Sequence, residues 1–449
     1  MRKIAIIGSG QTGLLAGIGL RDKGYDVTLY SDRTARDWLE NSVPTGIAGI
    51  QIRTTELERS LGLAFWEEEA VRTAGVDFTF SLDGRNIFFR LQGRYKGPLY
   101  AIDLRLKSAR WMEEFEKRGG RLIIQSVDEA ALDAIADQND LTLVAAGKAE
   151  MMGRIFERDA ARSVYDRPQR NLAMLLVKDV KPFRQGIPFE AMKFNFFAPF
   201  GEYFWVPFYH MNGTNCMSVL FEAKEGGPMD RWMGRCEDGH QAVEIAKDFI
   251  REHAPWEFDN VRDMTLMDDK GWLVGKFPPT VRKPVGRLSS GRIVAPLGDT
   301  CMAFDPIGGM GANNASNSAK IMMEEIVAHG DRPFDAGWMT RTFERHWTEF
   351  GQHAWTFNNL LLEPLDAPAR EVLVATSQSR QLADDFFSHF NEPREFFPML
   401  TELGAARDYI SETTGRHWLV STIRGWTRIV LHQLRQKLAG RPLTPKPAR

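Results

Sequence analysis

At ~150 residues per domain, a chain of 449 residues has room for about three structural units. Hydrophobic residues make up 43% and charged residues 26%, which excludes a mostly disordered chain. With 57 basic against 59 acidic residues, no global field recruits nucleic acid. Three widely spaced cysteines, Cys216, Cys236 and Cys301, exclude a disulfide framework and a zinc cluster and suit a reducing cytoplasm.

The uncharged stretch from Ile4 to Leu20 follows Arg2 and Lys3, as the apolar region of a signal peptide would. It holds five glycines, is too short to span a bilayer and lacks a small-x-small cleavage site, so it is read as structure. No other segment approaches ~20 consecutive apolar residues, so no transmembrane segment is expected. Lys3 to Ile7 reads as a buried parallel strand, and a helix is expected from about Gly13 to Lys23, ended by Gly24. Asp26 to Tyr30 reads as a second strand, completing a β-α-β unit. Residues 103–118 have helical periodicity and stop at Gly119-Gly120, and two further strands follow at 121–124 and 141–147.

Between about Gln169 and Thr280 the pattern changes to period-2 strand-like runs with short turns, Asn212-Gly213 among them. An inserted, mainly antiparallel sheet is expected there. The α/β framework returns at 291–299 as strand then loop, followed by a helix from about Ala312 to His329. From Asp335 to about Leu438 the chain reads as mostly helical, and the Pro-rich basic end as loose. The expected division is 1–165 and 285–334 for a nucleotide-binding domain in two pieces, 166–284 for a β-rich substrate domain, and 335–449 for a C-terminal helical region.

Gly8, Gly10 and Gly13 form the first chemical motif, with Gln11 and Thr12 between them. A diphosphate needs close backbone approach and free N–H groups at a helix start, and this GxGxxG lies between a strand and a helix. At the end of the second strand either Asp32 reaches a ribose or Arg33 touches the adenosine side. Arg105, at the start of the helix over 103–118, either meets a diphosphate from the opposite side or is solvated. The second glycine loop spans 295–320. Gly298-Asp299 offers a carboxylate to ribityl hydroxyls. Gly308, Gly309 and Gly311 bring the backbone close to a flat ring, and Ala312 and Asn313 open a helix aimed at that ring. A reduced flavin is an anion that a helix N-terminus stabilises, so two such loops call for FAD rather than a nicotinamide enzyme. Asp305-Pro306 shapes the pocket over the ring. Where single-component flavin hydroxylases carry Asp-Gly near position 145, this chain has Ala146-Gly147-Lys148, and no second GxGxxG is present. Electrons are therefore expected on flavin reduced by another protein.

The aromatic-rich strands place Phe194, Phe196, Phe197, Tyr203, Trp205 and Phe208 on alternating faces. Each residue is read first as core and collectively as an apolar wall over the flavin. No HxxxH, HxH or GxSxG occurs, so no metal site and no serine nucleophile is expected. His210, His240 and His253 are read as surface or core residues.

These pieces resemble the FAD-binding epoxidase component of styrene monooxygenases and the related indole monooxygenases, from Met1 to about residue 400. The specific stretches are 41–43 (NSV), 166–178, 297–316 and 377–393; the last is not a cofactor motif. The resemblance implies a glutathione-reductase or PHBH-type FAD-binding domain, a sheet-based substrate domain and C-terminal helices. It also implies reduced FAD supplied transiently by a separate NADH-dependent flavin reductase, O2 as co-substrate, and a C4a-(hydro)peroxyflavin that epoxidises a small apolar aromatic such as styrene or indole. Asn41 and Ser42 match the Asn-Thr pair that lies beside flavin and substrate in that family, with Ser for Thr. Val43 fits the styrene-type branch better, whereas Thr45 stands where that branch carries His. Beyond the resemblance, Leu419, Ile423, Trp426, Val430 and Leu434 share one helical face flanked by Arg424, Arg428, Arg435 and Lys437. That face is read as core cover or a homodimer contact, ahead of a reductase-docking or membrane-grazing surface. Two competing readings are a flavin-dependent halogenase, for which Glu202 and Phe204 replace both tryptophans of the halogenase motif, and a non-catalytic FAD-binding subunit.

Overall fold

In the computed structural model the described residues are 2–46, 49–146, 149–183 and 189–445. They form two compact units, each assembled from three stretches of chain. The first comprises Met1–Trp66, Ile102–Pro168 and Phe277–Asn359; the second comprises Glu67–Ala101, Gln169–Lys276 and Leu360–Arg449.

The first unit is α/β. Its sheet runs in the order Gly286–Arg287, Ile293–Pro296, Leu141–Val144, Lys3–Ile7, Asp26–Ser31, Arg121–Ile124, parallel except for the antiparallel edge strand Gly286–Arg287. Alternation along Lys3–Ile7 sends Ile4 and Ile6 into one core and Ala5 and Ile7 into another, so both faces of the sheet are covered. The first core takes Leu14, Leu15 and Ile18 from the helix Gln11–Asp22, Trp111 and Phe115 from Leu104–Lys117, and Met322, Met323 and Ile326 from Gly311–His329. The second takes Leu132 and Ile135 from the helix Glu129–Gln138, with Met152 and Phe156. The helix Leu104–Lys117 begins where Asp103 caps the N–H of Arg105 and ends before the glycine pair, as the periodicity requires.

The second unit holds an eight-stranded, mainly antiparallel sheet. Its path is Thr265–Leu266, Asn171–Lys178, Asn215–Ala223, Gly201–Tyr209, Ala191–Phe197, Thr73–Ser81, Phe89–Leu99, with Trp272–Gly275 also on Asn171–Lys178. The turn through Asn212-Gly213 joins the two central strands, with Gly213 at φ +84°. One face packs Tyr203, Trp205 and Phe221 against Val243, Phe249 and Ile250 of the helix Gly239–His253. That side also carries a sealed charge network. Asp77 accepts two bonds from Arg90 (2.6 and 2.8 Å) and one from Lys193 (2.9 Å). Lys193 lies 3.1 Å from Glu257, which accepts from the Tyr203 hydroxyl (2.6 Å) and the Trp205 indole (3.2 Å).

Two sequence expectations differ from the structure. The division by packing differs from the expected boundaries, because the hairpin Thr73–Ser81/Phe89–Leu99 joins the antiparallel sheet and 335–359 joins the first unit. Its one parallel pairing, Thr73–Ser81 with Ala191–Phe197, spans more than a hundred residues and leaves no local trace in sequence. The apolar face of the C-terminal helix Trp418–Ala439 does not cover the core: Leu419, Ile423, Trp426, Val430 and Leu434 are all exposed. The helix instead buries Ser421, Gly425, Ile429, His432 and Gln436, whose small and hydrogen-bonding side chains allow close approach. Gly147 and Lys148, and 446–449 of the chain end, lie outside the described residues.

Candidate functional site

The site of the first unit is built from its two glycine loops. Gly8 ends the first strand at φ +113°, and its N–H donates to the Tyr30 carbonyl (2.8 Å). A Cβ on Gly13 would lie 2.0 Å from the Gly8 carbonyl oxygen, so the helix presses directly on the turn. Gly10 is the extended N-cap of that helix and offers no side-chain cap to its first turn of N–H groups. A Cβ on Gly10 would meet nothing within 4 Å. An open approach to unclaimed amides is what a diphosphate requires, so these residues fit a dinucleotide.

The second loop is drawn onto the first. Gly298 sits at φ +61°, and a Cβ there would come within 2.7 Å of the Thr12 hydroxyl oxygen. Gln11 donates from Nε2 to Ser316 Oγ (2.7 Å) on the helix Gly311–His329 and accepts at Oε1 from Lys107 Nζ (3.3 Å). Lys107 is itself paired with Glu58 at 2.5 Å, and both are buried. This Glu58–Lys107–Gln11–Ser316 chain ties four helices of the unit together. Lys107, Glu58 and Ser316 carried no motif signal in the sequence.

Past Gly298, Asp299 is solvent-exposed, yet enough protein surrounds it that desolvation pushes its carboxyl up to about 6, against a smaller opposing pull from Arg282. The carboxyl is thus open to a ligand from solvent. Its backbone and that of Thr300 are held by the Arg282 guanidinium. Pro306 starts a short 3-10 turn capped by Asp305, whose Oδ1 accepts from the Ile307 N–H. The turn closes at Gly309 in the left-handed region (φ +62°), with open space where its Cβ would be. Gly308 N–H donates to Asn358 Oδ1 (3.1 Å). Asn313, fully buried, accepts from Gln51 N–H and the Thr54 hydroxyl and donates to the carbonyls of Gly49 and Gly309, so it anchors the loop from within. Gly311 and Ala312 stay half-open at the helix start.

At the end of the second strand, Arg33 donates to both oxygens of Asp32 (2.8 and 2.9 Å) and to Ser42 Oγ (2.8 Å), and its guanidinium lies over the Trp38 ring. The hydrogen bond from Arg33 holds the Asp32 carboxyl below its ordinary value. Trp38 donates to Ser9 Oγ, which is hydrogen-bonded to Ser31, so this cluster is fastened to the glycine loop. Ser42 is buried and also donates to the Asp37 carbonyl. Asn41 donates to Asp37 Oδ1 at the surface, and Val43 is exposed. Asp32, Arg33, Asn41 and Ser42 thus form one bonded group.

Arg105 lies at the start of the helix Leu104–Lys117. Its guanidinium is fully buried and bonded to Asp103, at 2.7 Å for the shorter ion-pair contact. Asp103 both caps the helix, accepting from the Arg105 N–H, and pairs with the Arg105 guanidinium. Among the described residues no cluster of three or more His, Cys, Asp or Glu is arranged for a metal ion. His210 is buried, with Nε2 2.7 Å from Asp268.

In the second unit the sheet face opposite the charge network is aromatic. Phe78, Phe194 and Phe204 are aligned across three strands, with Phe80 and Phe196 one pleat on. Phe78 stacks on Phe196 (4.8 Å between ring centres) and Phe194 meets Phe204 edge-on (5.0 Å). Phe78, Phe80, Phe194 and Phe196 remain half-buried. Phe197, Tyr203, Trp205 and Phe208 are core.

Residues 147–260 match the family model "Styrene monooxygenase A putative substrate binding domain". Styrene monooxygenase StyA from Pseudomonas fluorescens is 29% identical over 400 residues, covering 87% of this chain and 93% of the relative. StyA from a Pseudomonas species matches to the same extent. Among solved structures, the flavin-dependent brominase Bmp2 aligns with a TM-score of 0.58 at 14% identity over 92% of this chain and 99% of its own. The halogenase PltM aligns with 0.59 at 13% identity over 98% and 93%. The chain is a styrene monooxygenase-like flavoprotein, and its solved neighbours share the FAD-binding fold.

Proposed function

We propose that the chain is the oxygenase of a two-component flavin monooxygenase that transfers one oxygen atom to the C=C bond of a small, flat, apolar aromatic such as styrene or indole. The observation that carries this reading is the meeting of two glycine loops in one unit, with Gly298 under Thr12 and Gln11 bonded to Ser316, in a styrene monooxygenase-like chain. Reduced FAD, when bound, supplies the two electrons with which O2 is split between product and water.

In this reading Gly8, Gly10, Gln11, Thr12 and Gly13 receive the diphosphate on unclaimed amides, and the Asp32–Arg33 pair takes the adenosine side. Asp299 accepts bonds from ribityl hydroxyls. Gly298, Gly309, Gly311, Ala312 and Asn313 let the backbone approach the ring, and the positive end of the helix Gly311–His329 stabilises negative charge on it. Pro306 shapes the pocket. Asn41, Ser42 and Val43 position substrate, Ser42 by holding Arg33. The second unit, taken by itself, carries a half-buried phenylalanine face of the kind a flat apolar aromatic packs against. The electrons come from a separate NADH-dependent flavin reductase.

The test combines the purified chain with FAD, NADH, O2 and an unrelated flavin reductase, and offers styrene and indole in turn. Oxygenated product that requires the reductase is expected. NADH consumption by the chain alone, or reducing equivalents lost wholly as hydrogen peroxide whatever substrate is offered, would overturn the reading. The fold is shared with halogenases, so a bromide arm is included, and brominated product would replace oxygenation with halogenation.

A further inference from the structure

The helix Trp418–Ala439 is packed in reverse of the usual amphipathic arrangement. At 100° per residue, Leu419, Val420, Ile423, Trp426, Val430, Leu431, Leu434 and Leu438 span an arc of about 140°. The buried residues Ser421, Gly425, Ile429, His432 and Gln436 lie on the opposite side. The buried side is firmly seated. A Cβ on Gly425 would fall 2.2 Å from the Val374 carbonyl oxygen, so the helix backbone rests on the helix Ala367–Thr376. Gln433 and Gln436 donate to the carbonyls of Ile87 and Phe88, and Thr422 donates to Glu371. The apolar arc therefore cannot turn inward without breaking these contacts. Ile423, Val430 and Leu434 stand 55, 53 and 51% exposed, and Leu438 88%.

Charge identifies the occupant. From Thr413 to Pro445 the chain has six basic residues (Arg416, Arg424, Arg428, Arg435, Lys437 and Arg441) and no acidic one, although the whole chain is slightly acidic. Arg424 and Arg435 line one border of the apolar arc, Thr427 and Lys437 fall within it, and the Glu371 carboxylate bonded to the helix is on its buried side. A second copy of the chain, docked through the same helix, would offer these cations no carboxylate from that helix. A wide aliphatic arc with one tryptophan and an arginine border is the signature of a helix lying in a phospholipid interface.

We infer that the outer face of Trp418–Ala439 binds an anionic phospholipid surface, its apolar arc entering the headgroup region and its arginines meeting lipid phosphates. The test floats the full chain with vesicles of phosphatidylcholine alone or mixed with phosphatidylglycerol. Binding to the anionic vesicles is expected, weakened by salt and reduced about tenfold or more in I423D/V430D. R424E/R435E should lose the preference for anionic vesicles. All four sites are exposed, so both variants should keep the parent's melting temperature and circular dichroism. Failure to float with either vesicle, together with a concentration-dependent dimer lost in I423D/V430D, would overturn the inference and assign the face to a second copy. Unchanged flotation of I423D/V430D would overturn it by placing lipid binding elsewhere. Neither result bears on oxygen transfer, which the soluble assay reads separately.

Discussion

Asp299 is accessible to a ligand while its surroundings disfavour its charge. With a folded value of about 6 against an unfolded value near 3.8, the native state holds its proton to higher pH than the unfolded chain does. The stability this contributes is complete below pH 4 and is lost as pH rises through 6. In the ligand-free protein, Asp299→Asn should remove that part of the decline, and melting temperatures measured from pH 4 to pH 7 check it. A wild-type and variant profile of equal slope would mean the carboxyl is well hydrated. The same scale explains Arg105: an arginine at a helix start looks available in sequence, but an aspartate two residues earlier holds it inside.

At the scale of elements, the antiparallel sheet is held by the network that links Thr73–Ser81, Phe89–Leu99 and Ala191–Phe197 through Asp77, Arg90 and Lys193. Burial alone would raise the Asp77 carboxyl, but Lys193 and Arg90 outweigh it and bring it down to about 2. Its contribution is therefore present above pH 4 and lost as pH falls towards 2. Asp77→Asn would leave two buried cations short of a partner and should destabilise the protein by about 3–5 kcal/mol, measured by denaturant unfolding at neutral pH. A loss under about 1 kcal/mol would show that water reaches the network. The strands themselves were legible wherever apolar residues alternate, as in Gly201–Tyr209. The hairpin Thr73–Ser81/Phe89–Leu99 was not, because its pairing partner lies far along the chain.

For the whole molecule, each unit draws on three separate stretches, and the chain passes from one to the other five times. The FAD-binding fold thus depends on segments far apart in sequence, and ligand binding should report on all of them. At about 100 times its Kd, FAD should stabilise the native state by about 2.7 kcal/mol. A rise in melting temperature with FAD concentration, read by calorimetry, checks this, and no rise at any concentration would remove FAD as the resident cofactor. Among the described residues no helix is long and apolar enough to cross a membrane.

The sequence by itself determined the β-α-β start, both glycine loops and the alternating strands. Each of these is dictated locally, by a backbone that must turn without a Cβ or by side chains that alternate across a pleat. Only the tertiary structure decided that Gly298 meets Thr12, that Arg105 is sealed on Asp103, and that the C-terminal helix turns its apolar side outward. An amphipathic pattern defines two faces but not which one is covered. Here Gly425 and Ser421 let the helix backbone approach its neighbour, and glutamine bonds to free carbonyls complete the seat, so close packing and hydrogen bonding outweighed burial of the larger apolar arc.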